Sequence, residues 1–253
     1  VRTVRRMRVM LGVPAVASDV EKRAVLEALF RSGAKEAYLI ETGAAAAIGS
    51  GLPVFDPLGN MIVDIGGGTT NIAVLSLGGI VVSESLRSGG QKLDAALKEY
   101  LRGTYAIVTD DATVEEMKVY NGSAVLPLED RNYYFRGRSL DDGLEKEVSL
   151  KSSEIYEVMG RPLLKILELI RQALRETPPE LAADIMEHGI VLTGGGSLLK
   201  GMDQLISQET GVPVTVAAEP ETAVAKGAGM ALRHRETLHS LVQGVQTIYK
   251  RRF

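Results

Sequence analysis

The sequence predicts an α/β protein, and three observations carry that prediction. The first fifty residues alternate strand, helix, strand, helix, an order that requires a parallel sheet with crossover helices. Two triple-glycine turns, Gly66-Gly67-Gly68 and Gly194-Gly195-Gly196, each follow a short β-branched apolar run, as turns at strand ends do. A chain of 253 residues with 45% apolar residues can fill a sizeable core, as one large domain or two small ones.

Arg8 to Pro14 is apolar and β-branched and reads as a buried strand, flanked by the basic run Arg2, Arg5, Arg6 and Arg8. Ser18 with Glu21 fits a capping box for a helix carrying Val20, Ala24, Leu26, Ala28 and Leu29 to Gly33. Ala37 to Ile40 is the second strand. Glu41-Thr42-Gly43 and the alanines to Gly49 follow as a helix small enough for close backbone approach. Gly51 to Asn60, with Pro53, Pro57 and Gly59, reads as a hinge or boundary.

Met61 to Leu75 reads as strand, glycine turn, strand, and two readings stand. Successive glycines can aim bare N–H groups at an anion, with Asp64 placed for Mg²⁺ through water and Thr69 and Thr70 adding hydroxyls. A tight hairpin is the plainer alternative. A strand from Gly79 to Ser85 precedes Gly89-Gly90 and a helix with Leu93, Ala96, Leu97 and Leu101 on one face. Thr113 and Glu116 fit a capping box, which leaves Glu115 and Lys118 as an i, i+3 pair, either a salt bridge or a ribose contact.

Tyr133 to Phe135, Asp142-Gly143 and Glu147 to Leu150 spell a small antiparallel insertion. Ser152 or Ser153 is placed to cap a helix that restarts at Pro162, and Thr177-Pro178-Pro179-Glu180 is a stop followed by a new start. After the second glycine turn, Ser197 opens a helix with Leu198, Leu199, Met202, Leu205 and Ile206 on one face, which would aim its N-terminal donors at an anion. Pro213 to Val216 is a strand and Thr222 to Leu232 an Ala/Gly-rich helix. Leu238, Leu241, Val242, Val245, Ile248 and Tyr249 mark one face of a last helix ending in Lys250, Arg251 and Arg252, a stripe expected to dock on its own domain.

Neither glycine turn is a Walker loop or a dinucleotide fingerprint. A net charge of −3 gives no basic footprint, so nucleic acid is not the expected partner. The absence of cysteine excludes disulfides and thiolate metal sites. His188, His234 and His239 lack ligand spacing. No apolar run reaches membrane-spanning length.

Nearly end to end, the chain resembles the MreB family of bacterial actin homologues, the rod-shape-determining proteins with close paralogues such as Mbl. The likeness runs through LGVPA, AYLIETGAAAAIGSGLPV, MIVDIGGGTTNIAVLSLGGIVVS, TPPELAADIMEHGIVLTGGGSLLKGMDQLISQETGVPV and AKGAGMAL. It implies an actin-like ATPase (ribonuclease H-like) fold, with residues 1–55 as a remnant of the first domain. Residues 56–124 and 186–232 would form the second domain, 125–185 an inserted subdomain and 233–253 a C-terminal amphipathic helix. It further implies a cytoplasmic protein, peripheral to the inner membrane, that binds ATP and Mg²⁺ and polymerises with itself. Such filaments work with membrane-associated cell-wall elongation proteins to maintain rod shape. By position, Asp64 to Thr69 match the second phosphate loop, including Gly66, Gly67 and Gly68. Gly194, Gly195, Gly196 and Ser197 match the adenosine loop, Glu115 and Lys118 the nucleoside contact, and Gly90 a further nucleotide-contact glycine.

Two departures bear on activity. The family opens with a strand and an Asp-x-Gly-Thr turn, and nothing before Arg8 matches it, so the first phosphate loop is expected to be absent. The family also reads Glu-Glu-Pro where this chain has Glu41-Thr42-Gly43, which puts Thr42 at the catalytic glutamate position. Threonine is a poor general base at neutral pH, and Glu41, one residue away, is expected to point elsewhere. The sequence therefore leaves open a filament-joining or capping subunit without turnover. A small-molecule kinase of the same superfamily would need an acidic base and a substrate pocket that the sequence does not display.

Overall fold

Three sheets organise the computed structural model, which describes residues 7–234, 236–238 and 240–243. In the first, β1 (Met7–Val13) and β2 (Ala34–Glu41) pair in parallel through the crossover helix α1 (Asp19–Arg31), and β11 (Val242–Gln243) adds antiparallel to β2. The Ser18–Glu21 capping box forms as the sequence predicts: the Glu21 N–H donates to the Ser18 hydroxyl, and the Ser18 N–H donates back to Glu21. On α1 Leu26 is buried, with Val25, Leu29 and Phe30 partly buried beside it, while Val20 is 78% exposed, because the helix covers a sheet of just three strands. For the same reason β1 is only partly buried, at Met10 and Val13.

The second sheet, ordered β10-β9-β3-β4-β5, carries the core. Its centre is the hairpin of β3 (Asn60–Ile65) and β4 (Thr70–Ser76), buried along its whole length, with β5 (Gly79–Leu86) antiparallel beside β4. Leu77 and Gly78 both take positive φ, 50° and 71°, the two-residue turn whose twist matches that of the strands it joins. β9 (Ile190–Thr193) pairs parallel with β3, placing Thr193 opposite Asp64, and β10 (Val214–Val216) completes the edge.

One face of this sheet is covered by α3 (Gly90–Tyr105) and α5 (Ser152–Glu176), with α4 (Asp111–Asn121) alongside. Two readings of capping are corrected here. Asp110, not Thr113, caps α4: its carboxylate accepts the Thr113 N–H at 2.8 Å, and an acceptor one turn before the first apolar residue wins the role. α5 begins after Lys151, whose N–H donates to Glu154, while the Ser152 hydroxyl donates to the Arg131 carbonyl. Nor does α5 restart at Pro162. It runs through for 25 residues, because Ile155, Met159, Leu163, Ile166, Leu167 and Ile170 form one continuous buried stripe on the sheet. That burial outweighs one missing backbone bond.

A third sheet joins β6 (Ile107–Val108) to the hairpin of β7 (Asn132–Ser139) and β8 (Glu145–Lys151), the predicted antiparallel insertion. α2 (Thr42–Gly49) and α8 (Ala223–Arg233) cross at close range: a Cβ on Gly49 would overlap the Ala223 carbonyl, and one on Gly227 the Ala45 carbonyl. α6 (Pro179–His188) opens at the double proline as predicted.

The helix read from Ser197 is also corrected. Gly195–Leu198 is a short 3-10 turn, Gly201 takes a left-handed φ of 74°, and the next helix, α7 (Met202–Thr210), starts only after it. Lys200 is held aside because its carbonyl accepts the Ala124 N–H at 2.7 Å. The tail is not helical where it is described: Leu238 and Leu241 are buried in a turn and Val242 enters β11, since an open edge of β2 offers it backbone partners. Arg2, Arg5, Arg6, Val245, Ile248, Tyr249 and Lys250 to Arg252 lie outside the described residues. Among the described residues no helix is long and apolar enough to cross a membrane.

Candidate functional site

The parallel pairing of β3 with β9 sets the two glycine turns side by side. Their backbones are in contact: a Cβ on Gly194 would overlap the Ile65 carbonyl oxygen, and one on Gly196 the Ile65 side chain. Both turns open into one cavity of about 430 Å³, within the usual size of small-ligand sites. Gly66, Gly67, Gly90, Glu115, Lys118, Gly195 and Gly196 line it.

Hydrogen bonding shapes the first turn. The Gly66 N–H closes it on the Thr69 carbonyl at 2.9 Å, and its carbonyls at Gly66 and Gly67 accept the N–H groups of Gly90 and Gln91 from the start of α3. The helix thus anchors the turn by its carbonyl side, which leaves the N–H groups of Gly67 and Gly68 with no partner among the described residues. Gly89 is required for that seat, because a Cβ there would meet the Gly66 carbonyl. In the second turn the Gly194 N–H donates to the Pro220 carbonyl, and the N–H groups of Gly195 and Gly196 are likewise left over. Bare donors at Gly67, Gly195 and Gly196, on two adjoining turns that line one cavity, favour an anion; Gly68 is not among the cavity residues.

Asp64 lies beneath both turns rather than in the cavity wall. It is buried, and its carboxylate accepts from Asn71 Nδ2 at 3.3 Å and from Thr193 Oγ1 at 3.2 Å. Burial pushes the Asp64 carboxyl above its ordinary value, against the lowering effect of those two hydrogen bonds. One carboxylate suits a cation that keeps its waters and takes other oxygens from phosphates, as magnesium does. Among the described residues no cluster of three or more His, Cys, Asp or Glu side chains could cage a metal.

The remaining residues singled out from sequence fall in distinct places. Thr69 Oγ1 accepts from Asn71 at 3.3 Å; the Thr70 hydroxyl is spent on the Ser88 carbonyl at 2.8 Å and is fully buried. Ser197 is buried with its hydroxyl donated to the Gly194 carbonyl at 2.6 Å, so it stiffens the turn. Gly90 faces Lys118, whose Nζ would lie 3.2 Å from a Cβ at that position. Lys118 pairs with Glu115 at 2.5 Å and also with Asp94 at 2.9 Å, inside the cavity. Thr42, the first residue of α2, and Glu41 are not among the cavity residues, and Glu41 accepts the Ser83 hydroxyl at 2.5 Å. Gln91, Leu93, Asp94, Val119, Leu198, Leu199 and Glu221 also line the cavity and were missed. Only Asp94, on the polar side of the periodic helix after Gly89-Gly90, carried a signal that could have found it.

Comparison with known proteins is consistent along the chain. A family model described as MreB/Mbl protein matches residues 1–240. Cell shape-determining protein MreB of Escherichia coli (strain K12) is 48% identical over 225 residues, which cover 89% of this chain and 65% of that protein. Cell shape-determining protein Mbl of Bacillus subtilis (strain 168) is 39% identical over 231 residues, 91% of this chain and 69% of that protein. The chain therefore spans about two thirds of the length of these relatives. Among solved structures, MreB5 of Spiroplasma citri bound to ADP superposes with a TM-score of 0.86 at 33% identity, covering 91% of this chain and 70% of that one. A MamK double helical filament gives 0.74 at 24% identity, covering 91% and 69%, a likeness of fold alone. The alternating α/β order, the paired glycine turns and these matches agree: the chain belongs to the MreB/Mbl family and has its actin-like fold.

Proposed function

We propose that this chain binds ATP with Mg²⁺ in the cavity between the two glycine turns and acts as a cytoskeletal, filament-forming protein of cell shape. One observation carries the reading: Gly67, Gly195 and Gly196, whose N–H groups have no partner among the described residues, line a single cavity from two adjacent turns, with Gly68 just outside its lining. The phosphates would take those donors, and Asp64 would hold the hydrated cation beneath them. Glu115 and Lys118 would meet the sugar, and Val119 with Leu198 and Leu199 would supply apolar walls for the base. Bound ADP in the Spiroplasma citri relative supports a nucleotide as the ligand. Residues 56–124 and 186–232 would act as the nucleotide-gripping unit, a division supported by the shared five-stranded sheet. Assembly at the inner membrane surface with cell-wall elongation proteins extends the reading from the named role of the relatives, cell shape determination.

The test is a titration of fluorescent ATP, with and without magnesium, into the 253-residue chain and into Gly67→Val and Gly195→Val. Saturable binding that magnesium strengthens and both valines weaken supports the site. Binding indifferent to all three changes overturns it. A second reading, a filament-joining or capping subunit without turnover, is favoured by one specific observation: Thr42 stands where the family carries its catalytic carboxylate, and Glu41 is engaged by Ser83. Filament microscopy of the chain alone and mixed with a full-length paralogue separates the two, since a capping subunit shortens filaments that it cannot form.

A further inference from the structure

Among the described residues Lys118 is the one cation in the wall of the cavity, and two unlike carboxylates hold it. Glu115, three residues earlier on α4, has a side chain 54% exposed; Asp94, from α3, has one only 16% exposed, and the Lys118 side chain itself is 11% exposed. An exposed i, i+3 pair on one helix is weak and leaves a long amine free to swing. A second carboxylate from a different helix removes that freedom. The Lys118–Asp94 contact at 2.9 Å ties the ammonium to a second helix, so Asp94 fixes its position. An ammonium has three donors, and the aligned bond to Glu115 uses one. Burial pushes the Asp94 carboxyl up and the Lys118 ammonium draws it back.

Two carboxylates around one ammonium give this part of the cavity a net negative charge, suited to accepting hydroxyl protons. It adjoins the first glycine turn, since Gly90 lies against both Lys118 and Gly67, while Glu221 stands beside Gly195 of the second. Building on the nucleotide reading above, we propose that Asp94 is a positioning residue. It holds the Lys118 ammonium over Gly90 and leaves a Glu115 oxygen free to accept a sugar hydroxyl, so that the cavity takes a ribonucleotide in preference to its deoxy counterpart.

The experiment compares ATP, 2′-deoxy-ATP and 3′-deoxy-ATP, each with magnesium, on the unmodified chain and on Asp94→Asn, Lys118→Met and the double variant. The unmodified chain should favour ATP over at least one deoxy analogue by roughly tenfold, the worth of a hydrogen bond to a charged group. Asp94→Asn should lower affinity for ATP by about as much and leave that analogue within about threefold of its starting affinity, so the preference collapses. Lys118→Met should do the same, and the double variant should be no worse than either single change, as expected of residues acting as one unit. Parallel losses for all three nucleotides, additive losses in the double variant, or no ribose preference in the unmodified chain each overturn the role of Asp94 while leaving the nucleotide site intact. No binding of any nucleotide by the unmodified chain overturns both. Should Asp94→Asn fail to fold, Lys118→Met still decides, because a retained preference there removes the group that Asp94 is said to position.

Discussion

Glu84 shows how a single side chain sets a pH dependence. Burial first, and then the nearby Glu176 charge, push its carboxyl above the usual value of 4.5, while Gln172 Nε2 bridges the two carboxylates at 3.3 and 3.0 Å. The folded state therefore holds this proton more tightly than the unfolded chain. Stability falls as pH rises from about 4.5 through the raised folded value, and stays at the lower level above it. Glu84→Gln should raise stability at pH 7 by about 0.5 kcal/mol, a small figure because the group is partly solvated. It should change little at pH 4, and urea midpoints at the two pH values check both arms. The site was legible at this scale wherever one residue type is needed for its backbone. Gly66 to Gly68 and Gly194 to Gly196 declare themselves because no other residue offers bare N–H groups in succession. Gln91 and Glu221 did not, because their role depends on which helices and turns meet, and no local spacing records that.

Helices were legible where chemistry at their ends is unambiguous and misread where packing overrides it. The Ser18–Glu21 box and the double proline before α6 read correctly; the proline within α5 did not. Pro162 cannot donate to the Val158 carbonyl, a loss that local propensity treats as a break and that the buried stripe absorbs. Pro162→Ala should therefore raise stability by about 1 kcal/mol, less than the ~3 kcal/mol cost in an isolated helix, because the unfolded chain also gains freedom. A rise in thermal midpoint with unchanged helix content by circular dichroism is the expected result. The α2–α8 crossing should behave oppositely. A Cβ on Gly227 overlaps a backbone carbonyl that cannot turn away, so Gly227→Ala should cost about 3 kcal/mol or more despite its better helix propensity. Denaturant unfolding that shows a gain instead would mean that the two helices are not locked together.

Across the whole molecule, α2 links the first sheet to the second: it leaves β2 at Thr42, packs on β3 and β4, and crosses α8. On the proposed reading, the first turn of α2 is where the family's catalytic carboxylate would sit, and this chain has Thr42 at that position. Glu41 is held back by the Ser83 hydroxyl and is the N-cap rather than a residue of the helix proper. If nucleotide gripping and nucleotide hydrolysis are separable in this architecture, the chain should bind ATP and release phosphate slowly, and Thr42→Glu should change only the second property. An acid in the first turn of a helix is electrostatically favoured, so folding should be unaffected to within about 0.5 kcal/mol. A positioned general base contributes roughly 100-fold or more. Single-turnover phosphate release with saturating MgATP should therefore rise by about two orders of magnitude in Thr42→Glu, while the affinity measured by titration stays level. Phosphate release that stays flat in a folded, ATP-binding Thr42→Glu variant would show that the missing carboxylate is not what limits turnover.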